Sequence, residues 1–255
     1  MSEVSKIEWT EASWNPVTGC KKISPGCNNC YAQTFAERFR GVSNHPYQQG
    51  FDFKIWPQRL VLPLTWKKPK KIFVNSMSDL FHEKVPDEFI AKVFDTMTKA
   101  NIHVFQVLTK RVDRMVKWTS SQYSKNGKDR KLQWPANVWI GVSVENQDYI
   151  YRIELMKKVP AKIKFISFEP LLGPVKLTKK ILMDIDWVIV GGESGYHARL
   201  MDEKWVSNIY EKCIESGIPF FFKQWGTFNS KGVKVGKKKA GRYFKKRIWN
   251  EMPRI

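Results

Sequence analysis

Six short apolar runs, recurring from residue 71 onward with helical patterns between several of them, constrain this 255-residue chain most. They cover residues 71–75, 102–108, 138–142, 163–167, 187–190 and 219–222, and are rich in Val, Ile, Phe and Trp. None alternates strictly between apolar and polar positions, which marks strands covered on both faces, as in a parallel sheet. Pro86-Asp87-Glu88 opens one intervening helix, with proline and acids at the positive end and a buried stripe of Phe89, Ile90, Val93, Phe94 and Met97. Asp202-Glu203 opens another, whose apolar face includes Trp205, Val206, Ile209, Tyr210, Cys213 and Ile214, and which ends near Gly217 before Pro219. The alternation predicts an α/β barrel or partial barrel of six or seven parallel strands, with a short first strand within 7–14. At 42% hydrophobic, the chain can bury one core of that size. Residues 1–225 are expected to form it, and 226–255 a basic extension packed on or beside it. The stretch 41–66 shows no period, and 120–129 reads as a basic, mobile surface insertion.

Ahead of the first long run stand three cysteines, Cys20, Cys27 and Cys30, spaced C-x6-C-x2-C. Pro25-Gly26 between them dictates a turn that can bring the sulfurs together. Tyr31, Ala32, Phe35, Ala36 and Phe39 then recur at helical spacing, placing Cys30 at a helix start, where partial positive charge favours a thiolate. Clustered thiolates suit zinc or an iron–sulfur cluster, and spacing does not choose between them. A structural zinc takes four protein ligands, with His45 the candidate fourth, while Cys213 reads as core. Three cysteines without a local fourth leave one iron of a 4Fe-4S cluster open, the arrangement that radical S-adenosylmethionine enzymes use. Of the other histidines, His82 follows a strand exit and is placed to enter the site; His103 sits in a strand and reads as structural.

Lys and Arg outnumber Asp and Glu by 44 to 24, a net charge of +20 that points to a polyanionic partner, most plausibly nucleic acid. No apolar run approaches the ~20 residues of a membrane helix. The polar start Met1-Ser2-Glu3 lacks a signal-peptide core, so a cytoplasmic protein with metal-binding rather than disulfide-bonded cysteines is expected.

In parallel α/β folds, functional groups gather where strands end. The six exits carry Asn75, Ser76, Ser78 and Asp79; Thr109, Lys110 and Arg111; Ser143 and Glu145; Glu169; Gly191-Gly192-Glu193-Ser194-Gly195; and Lys223, Gln224 and Trp225. Gly191-Gly192 suits close backbone approach to a ligand, and Glu193, Glu145 or Glu169 can accept from an ammonium or a ribose hydroxyl. Ser76, Asp79 and Ser143 join them as candidate cofactor contacts. Lys110, Arg111 and Lys223, with Gln224 and Trp225, are candidate substrate contacts, the cations for phosphates. Trp14, Tyr31 and Trp225 are candidate stacking platforms, core packing being the commoner fate of such rings.

The segment Trp9-Thr10-Glu11-Ala12-Ser13-Trp14-Asn15-Pro16-Val17-Thr18-Gly19-Cys20, with Ser24-Pro25-Gly26-Cys27 and Cys30-Tyr31-Ala32, resembles a three-cysteine family of phage and bacterial proteins of unknown function (the phage Gp37/Gp68-like proteins). The resemblance runs on through Ser76-Met77-Ser78-Asp79-Leu80-Phe81-His82, Gln106-Val107-Leu108-Thr109-Lys110-Arg111 and Val138-Trp139-Ile140-Gly141-Val142-Ser143-Val144-Glu145. It continues in Glu169-Pro170-Leu171-Leu172-Gly173-Pro174, Gly191-Gly192-Glu193-Ser194-Gly195, Phe221-Phe222-Lys223-Gln224-Trp225-Gly226, Lys238-Lys239-Ala240-Gly241-Arg242 and Trp249-Asn250-Glu251-Met252-Pro253. It implies a relation to radical S-adenosylmethionine enzymes, some of which repair or modify nucleic acids, and hence their partial-barrel fold. Against the usual C-x3-C-x2-C of those enzymes, the first gap here is six, Asn29 rather than an aromatic precedes the last cysteine, and the Gly-Gly-Glu segment follows a late strand.

These readings lead to an enzyme that binds a 4Fe-4S cluster and S-adenosylmethionine, takes electrons from a donor, and acts on a base or sugar of a nucleic acid. The alternatives are a non-enzymatic, zinc-stabilised nucleic-acid-binding protein, and a radical enzyme acting on a small molecule or partner protein.

Overall fold

The computed structural model describes residues 4–123 and 132–254. Nine strands are present among them: β1 Ala12–Trp14, β2 Val17–Thr18, β3 Lys54–Ile55, β4 Lys71–Val74, β5 Val104–Thr109, β6 Val138–Ser143, β7 Lys164–Phe168, β8 Trp187–Gly191 and β9 Phe220–Gln224. Seven form one sheet in the order β1-β4-β5-β6-β7-β8-β9, and β2 pairs with β3 in a separate two-stranded ribbon. Strand order follows chain order and never doubles back. That is the topology of an open (β/α) barrel, not of a doubly wound sheet. The six expected runs are all strands, and the seventh lies within 7–14 as β1. Burial explains the unbroken apolar runs: every residue of β6 and of β8 is buried.

Contacts divide the chain into two compact units. The first comprises Met1–Ile23, Cys30–Ile140 and Lys158–Lys162; the second comprises Ser24–Asn29, Gly141–Lys157 and Ile163–Ile255.

In the first unit β1 pairs with β4 and β4 with β5, all parallel. The helix Asp87–Lys99 begins where Pro86 holds an extended φ of −61° and ψ of 145°, and it buries all five residues of the expected stripe. Phe94 packs on Trp118 at 4.8 Å, and Trp118 comes from the helix Val112–Gln122. That helix includes Ser120, Ser121 and Gln122, so the first part of the stretch expected to be a mobile insertion is helical. Residues 124–131, which carry the rest of that expectation, lie outside the described residues, as does the start 1–3. His103 precedes β5 instead of lying in it, and one ring nitrogen meets Pro63 O at 3.0 Å.

In the second unit β7 pairs with β8 and β8 with β9, again parallel. The helix Glu203–Ser216 is capped at both ends. Asp202 accepts from Lys204 N at 2.8 Å, and Gly217 at φ 65° lets Ile218 N return to Cys213 O at 2.9 Å. Residues of the basic extension enter this unit's core: Phe244 and Trp249 are buried beside Phe220 and Tyr210. Each such ring contributes on the order of 2 kcal/mol through buried apolar area. Phe222 N also donates to Trp249 O at 3.0 Å, and Trp187 Nε1 to Glu251 O at 2.8 Å. Among the described residues no helix is long and apolar enough to cross a membrane.

Candidate functional site

In the first unit the strand exits are joined by one buried carboxylate. Asp79, 6% exposed, accepts from Thr109 Oγ1 at 2.8 and 2.9 Å, from Phe81 N at 2.9 Å and from Lys110 N at 3.1 Å. It also pairs with the Arg111 guanidinium at 3.6 Å. Arg111 reaches onward, donating to Cys20 Sγ at 3.4 Å and to Lys21 O at 3.0 Å. Gly19, just before that cysteine, has φ +76°, and a Cβ there would stand 2.2 Å from Asp52 O, so glycine is required. Ser78 Oγ donates to Gly19 O at 2.5 Å, and Tyr31 OH to Ser76 O at 2.5 Å. Of the residues read from sequence as ligand contacts, Ser76 and Arg111 touch the segments carrying Cys30 and Cys20, while Asp79 pairs with Arg111 and Lys110 enters through its backbone N. Cys30 stands at the N-cap position of the helix Tyr31–Glu37, with no capping hydrogen bond from its side chain. That helix buries only Ala32 and Ala36, leaving Tyr31 and Phe35 at the surface, and it stops before Phe39.

In the second unit two further carboxylates hold the turn Ser24–Asn29. Glu145 is fully buried, pairs with Arg152 at 2.9 Å and accepts from Ser24 Oγ at 2.5 Å. Arg152 also donates to Ser143 O at 2.7 Å. Glu193 accepts from Arg199 Nε and backbone N, each at 2.9 Å, and from Asn29 Nδ2 at 3.0 Å. Burial pushes the Glu193 carboxyl up, but the hydrogen bonds from Arg199 and Asn29 outweigh it and hold the group below the ordinary carboxylate value. Arg199 completes the clamp by donating to Pro25 O at 2.9 Å. Between the two carboxylates, the Pro25–Cys27 turn comes so close to Glu145 that a Cβ on Gly26 would lie 2.5 Å from its Cγ.

The remaining strand-end residues have separate surroundings. Lys223 and Glu169 form an ion pair of 2.5 Å beside Gly191. The room that Gly192 leaves is taken by Trp225 O, 2.0 Å from where a Cβ would be. Gln224 is buried and donates to Ser194 Oγ at 3.1 Å. The rings of Trp225 and Trp14 are core, their indole nitrogens donating to Tyr243 O and Arg59 O at 2.8 Å each. His82 is buried with Nδ1 accepting from Lys84 N, and burial, then the nearby Arg111 charge, lower its pKa.

Sequence reasoning missed Ser24, Asn29, Arg152 and Arg199 as the supports of the cysteine turn. Arg152 was the legible one: a lone cation between Ile150 and Ile153, seven residues after Glu145. Arg199 and Asn29 act through loops that no period announces.

The three loop cysteines form no disulfide and are partly exposed, whereas Cys213 is buried. Among the described residues no three His, Cys, Asp or Glu side chains are gathered to hold a metal ion. His45 stacks on Phe39 at 3.8 Å and its Nδ1 accepts from Tyr47 N at 3.1 Å. In kind, the donor set suits a thiolate-bound iron cluster: three accessible sulfurs outside any disulfide, with a cationic donor already directed at one of them.

A parallel sheet in chain order defines the class: an α/β protein of open-barrel topology, with candidate residues at the strand ends of each unit. The chain belongs to DUF5131, described as a protein of unknown function, whose family model matches residues 4–253. No curated protein matches it. Among solved structures, it is similar to a spore photoproduct lyase double mutant with bound AdoMet and dinucleoside spore photoproduct, at 11% identity and TM-score 0.44, over 78% of this chain and 60% of that one. A spore photoproduct lyase complexed with the dinucleoside spore photoproduct matches at 11% identity and TM-score 0.41, over 77% and 58%. The chain thus spans about three-fifths of the length of these relatives. Likeness at this level identifies neither substrate nor chemistry.

Proposed function

We propose that this chain is an iron–sulfur, S-adenosylmethionine-dependent radical enzyme that repairs or modifies a base or sugar of a nucleic acid. The observation that carries the reading is the cysteine loop: three partly exposed thiols outside any disulfide, with the Ser24 and Asn29 side chains between them donating to the buried strand-end carboxylates Glu145 and Glu193. Cys20, Cys27 and Cys30 would hold a 4Fe-4S cluster, with S-adenosylmethionine at the iron that lacks a protein ligand. When bound, and given one electron by a donor, that group would supply a 5′-deoxyadenosyl radical, with methionine as the other product of the broken C5′–S bond.

The chain's own residues divide the work. Asp79, Glu145 and Glu193 are positioning residues: Glu145 and Glu193 accept from the loop side chains Ser24 and Asn29, and Asp79 pairs with the Arg111 that reaches Cys20. Ser76 and Ser143 serve through their carbonyls, which accept from Tyr31 and Arg152. Glu169 and Lys223 remain as an acceptor and a donor side by side next to Gly191, suited to an ammonium and a phosphate. The positive surface attracts the nucleic acid, and a base within a duplex would have to leave its stack to react.

Anaerobic purification with metal analysis and electron paramagnetic resonance tests this. About four irons per chain, lost in Cys27→Ala, and a reduced spectrum altered by S-adenosylmethionine are expected. One tightly held zinc and no cluster after reconstitution would overturn it.

A further inference from the structure

The second unit carries a charged segment that the site does not use. Residues 226–250 contain nine Lys and Arg, all from 231 onward, and no Asp or Glu. Lys231, Lys234, Lys237, Lys238 and Lys239 are exposed. Their backbone is fixed: Val235 N and Gly236 N both donate to Thr227 O, at 3.0 and 2.9 Å, and Trp225 N donates to Gly241 O at 3.3 Å. The segment is tied to the strand-end rim as well. Thr227 N donates to Glu193 O at 3.0 Å, and Gly195 N to Thr227 Oγ1 at 2.9 Å. Glu193 is the residue whose carboxylate holds Asn29 of the cysteine turn.

Beside these lysines stands Tyr196, 82% exposed, more so than any other large apolar or aromatic side chain described. Lys234 donates to Tyr196 O at 2.8 Å and lies 4.8 Å from the ring centroid. A cation thus lies over the ring, the His197 ring stands edge-on to it at 4.9 Å, and the rest of the ring is open to solvent. Exposed lysines interleaved with a presented aromatic are what a single strand needs: phosphates track the charges and an unstacked base lies on the ring. A duplex offers no free base face to such a ring.

We infer that residues 227–239 and Tyr196 form a track for single-stranded nucleic acid, leading along the Glu193–Gly195 rim toward the cysteine turn. The inference rests on the nucleic-acid reading above and adds where the strand lies. The test is fluorescence anisotropy with a labelled single-stranded oligonucleotide, over a series of salt concentrations, on the full chain. Lys237→Glu/Lys238→Glu/Lys239→Glu is expected to weaken binding and to reduce the salt slope by about 2. Tyr196→Ala is expected to weaken binding about tenfold at unchanged slope, with Tyr196→Phe near wild type. A control of equal charge change, Lys67→Glu/Lys68→Glu/Lys92→Glu, is expected to retain most of the affinity.

Equal losses in the control and the triple variant, or no effect of Tyr196→Ala, would overturn the track while leaving nucleic acid as partner. Wild-type protein that binds anionic phospholipid vesicles but no oligonucleotide would overturn both. Circular dichroism of each variant separates lost binding from lost folding, and these exposed positions are expected to leave the fold intact.

Discussion

Arg111 donates to the Cys20 sulfur at 3.4 Å while the buried Asp79 carboxylate pairs with the same guanidinium at 3.6 Å. A strand-end carboxylate thus sets the direction of a charged donor toward a candidate metal ligand. Hydrogen bonds to ligating sulfur stabilise the reduced, more negative state of a cluster. Arg111→Met is expected to leave iron content near wild type and to lower the reduction potential, read by a redox titration. An unchanged potential would show that the contact is structural only.

The Glu145–Arg152 pair is almost wholly enclosed, with side chains 0% and 2% exposed. Replacing either partner alone leaves a buried charge without its counterpart. Arg152→Met and Glu145→Gln are each expected to cost about 3–5 kcal/mol in urea unfolding, and the double variant much less than their sum. Additive losses would mean that the two charges do not act as a pair.

Gly26 is where the cysteine turn comes closest to Glu145. A methyl group there would meet the Glu145 carboxyl, which Arg152 and Ser24 hold in place and which cannot swing aside cheaply. Gly26→Ala is expected to displace Cys27, leaving thermal stability within a few degrees of wild type but reducing reconstituted iron several-fold. Wild-type iron loading would show that the turn tolerates the shift.

His82 gives a pH dependence of calculable sign. Its pKa is lowered in the folded chain, mainly by burial and then by Arg111, so below the ordinary value of 6.5 the unfolded chain takes up the proton first. This penalty is absent well above pH 6.5, grows as pH falls through it, and is complete below the folded value. The urea midpoint of the wild type is expected to drop between pH 7.5 and pH 5.5 by more than that of His82→Gln. Equal drops would assign the acid sensitivity elsewhere, for instance to His103, which burial lowers in the same direction.

The strands, the capped helices and the cysteine turn were legible because each follows a local rule: apolar runs, an N-terminal acid, a terminal glycine, a Pro-Gly pair. Ser76, Asp79, Glu145 and Glu193 were found as strand-end residues, but not what they do there. Each binds a side chain from a distant part of the chain, and partners 30 to 164 positions away leave no periodic trace. Gly192 shows the same limit. Two glycines in a row announce close approach, yet only the pairing of β8 with β9 reveals that Trp225 O is what approaches.

Cys213 sits with 0% exposure on the helix Glu203–Ser216, and burial pushes its thiol up to about 12. In the folded chain it is inert to alkylation, whereas the three loop cysteines are within reach of reagents. With those three replaced by serine, the labelling rate of the remaining sulfur reports how often that helix opens. The chain therefore contains an internal gauge of its own breathing, readable by mass spectrometry without denaturant.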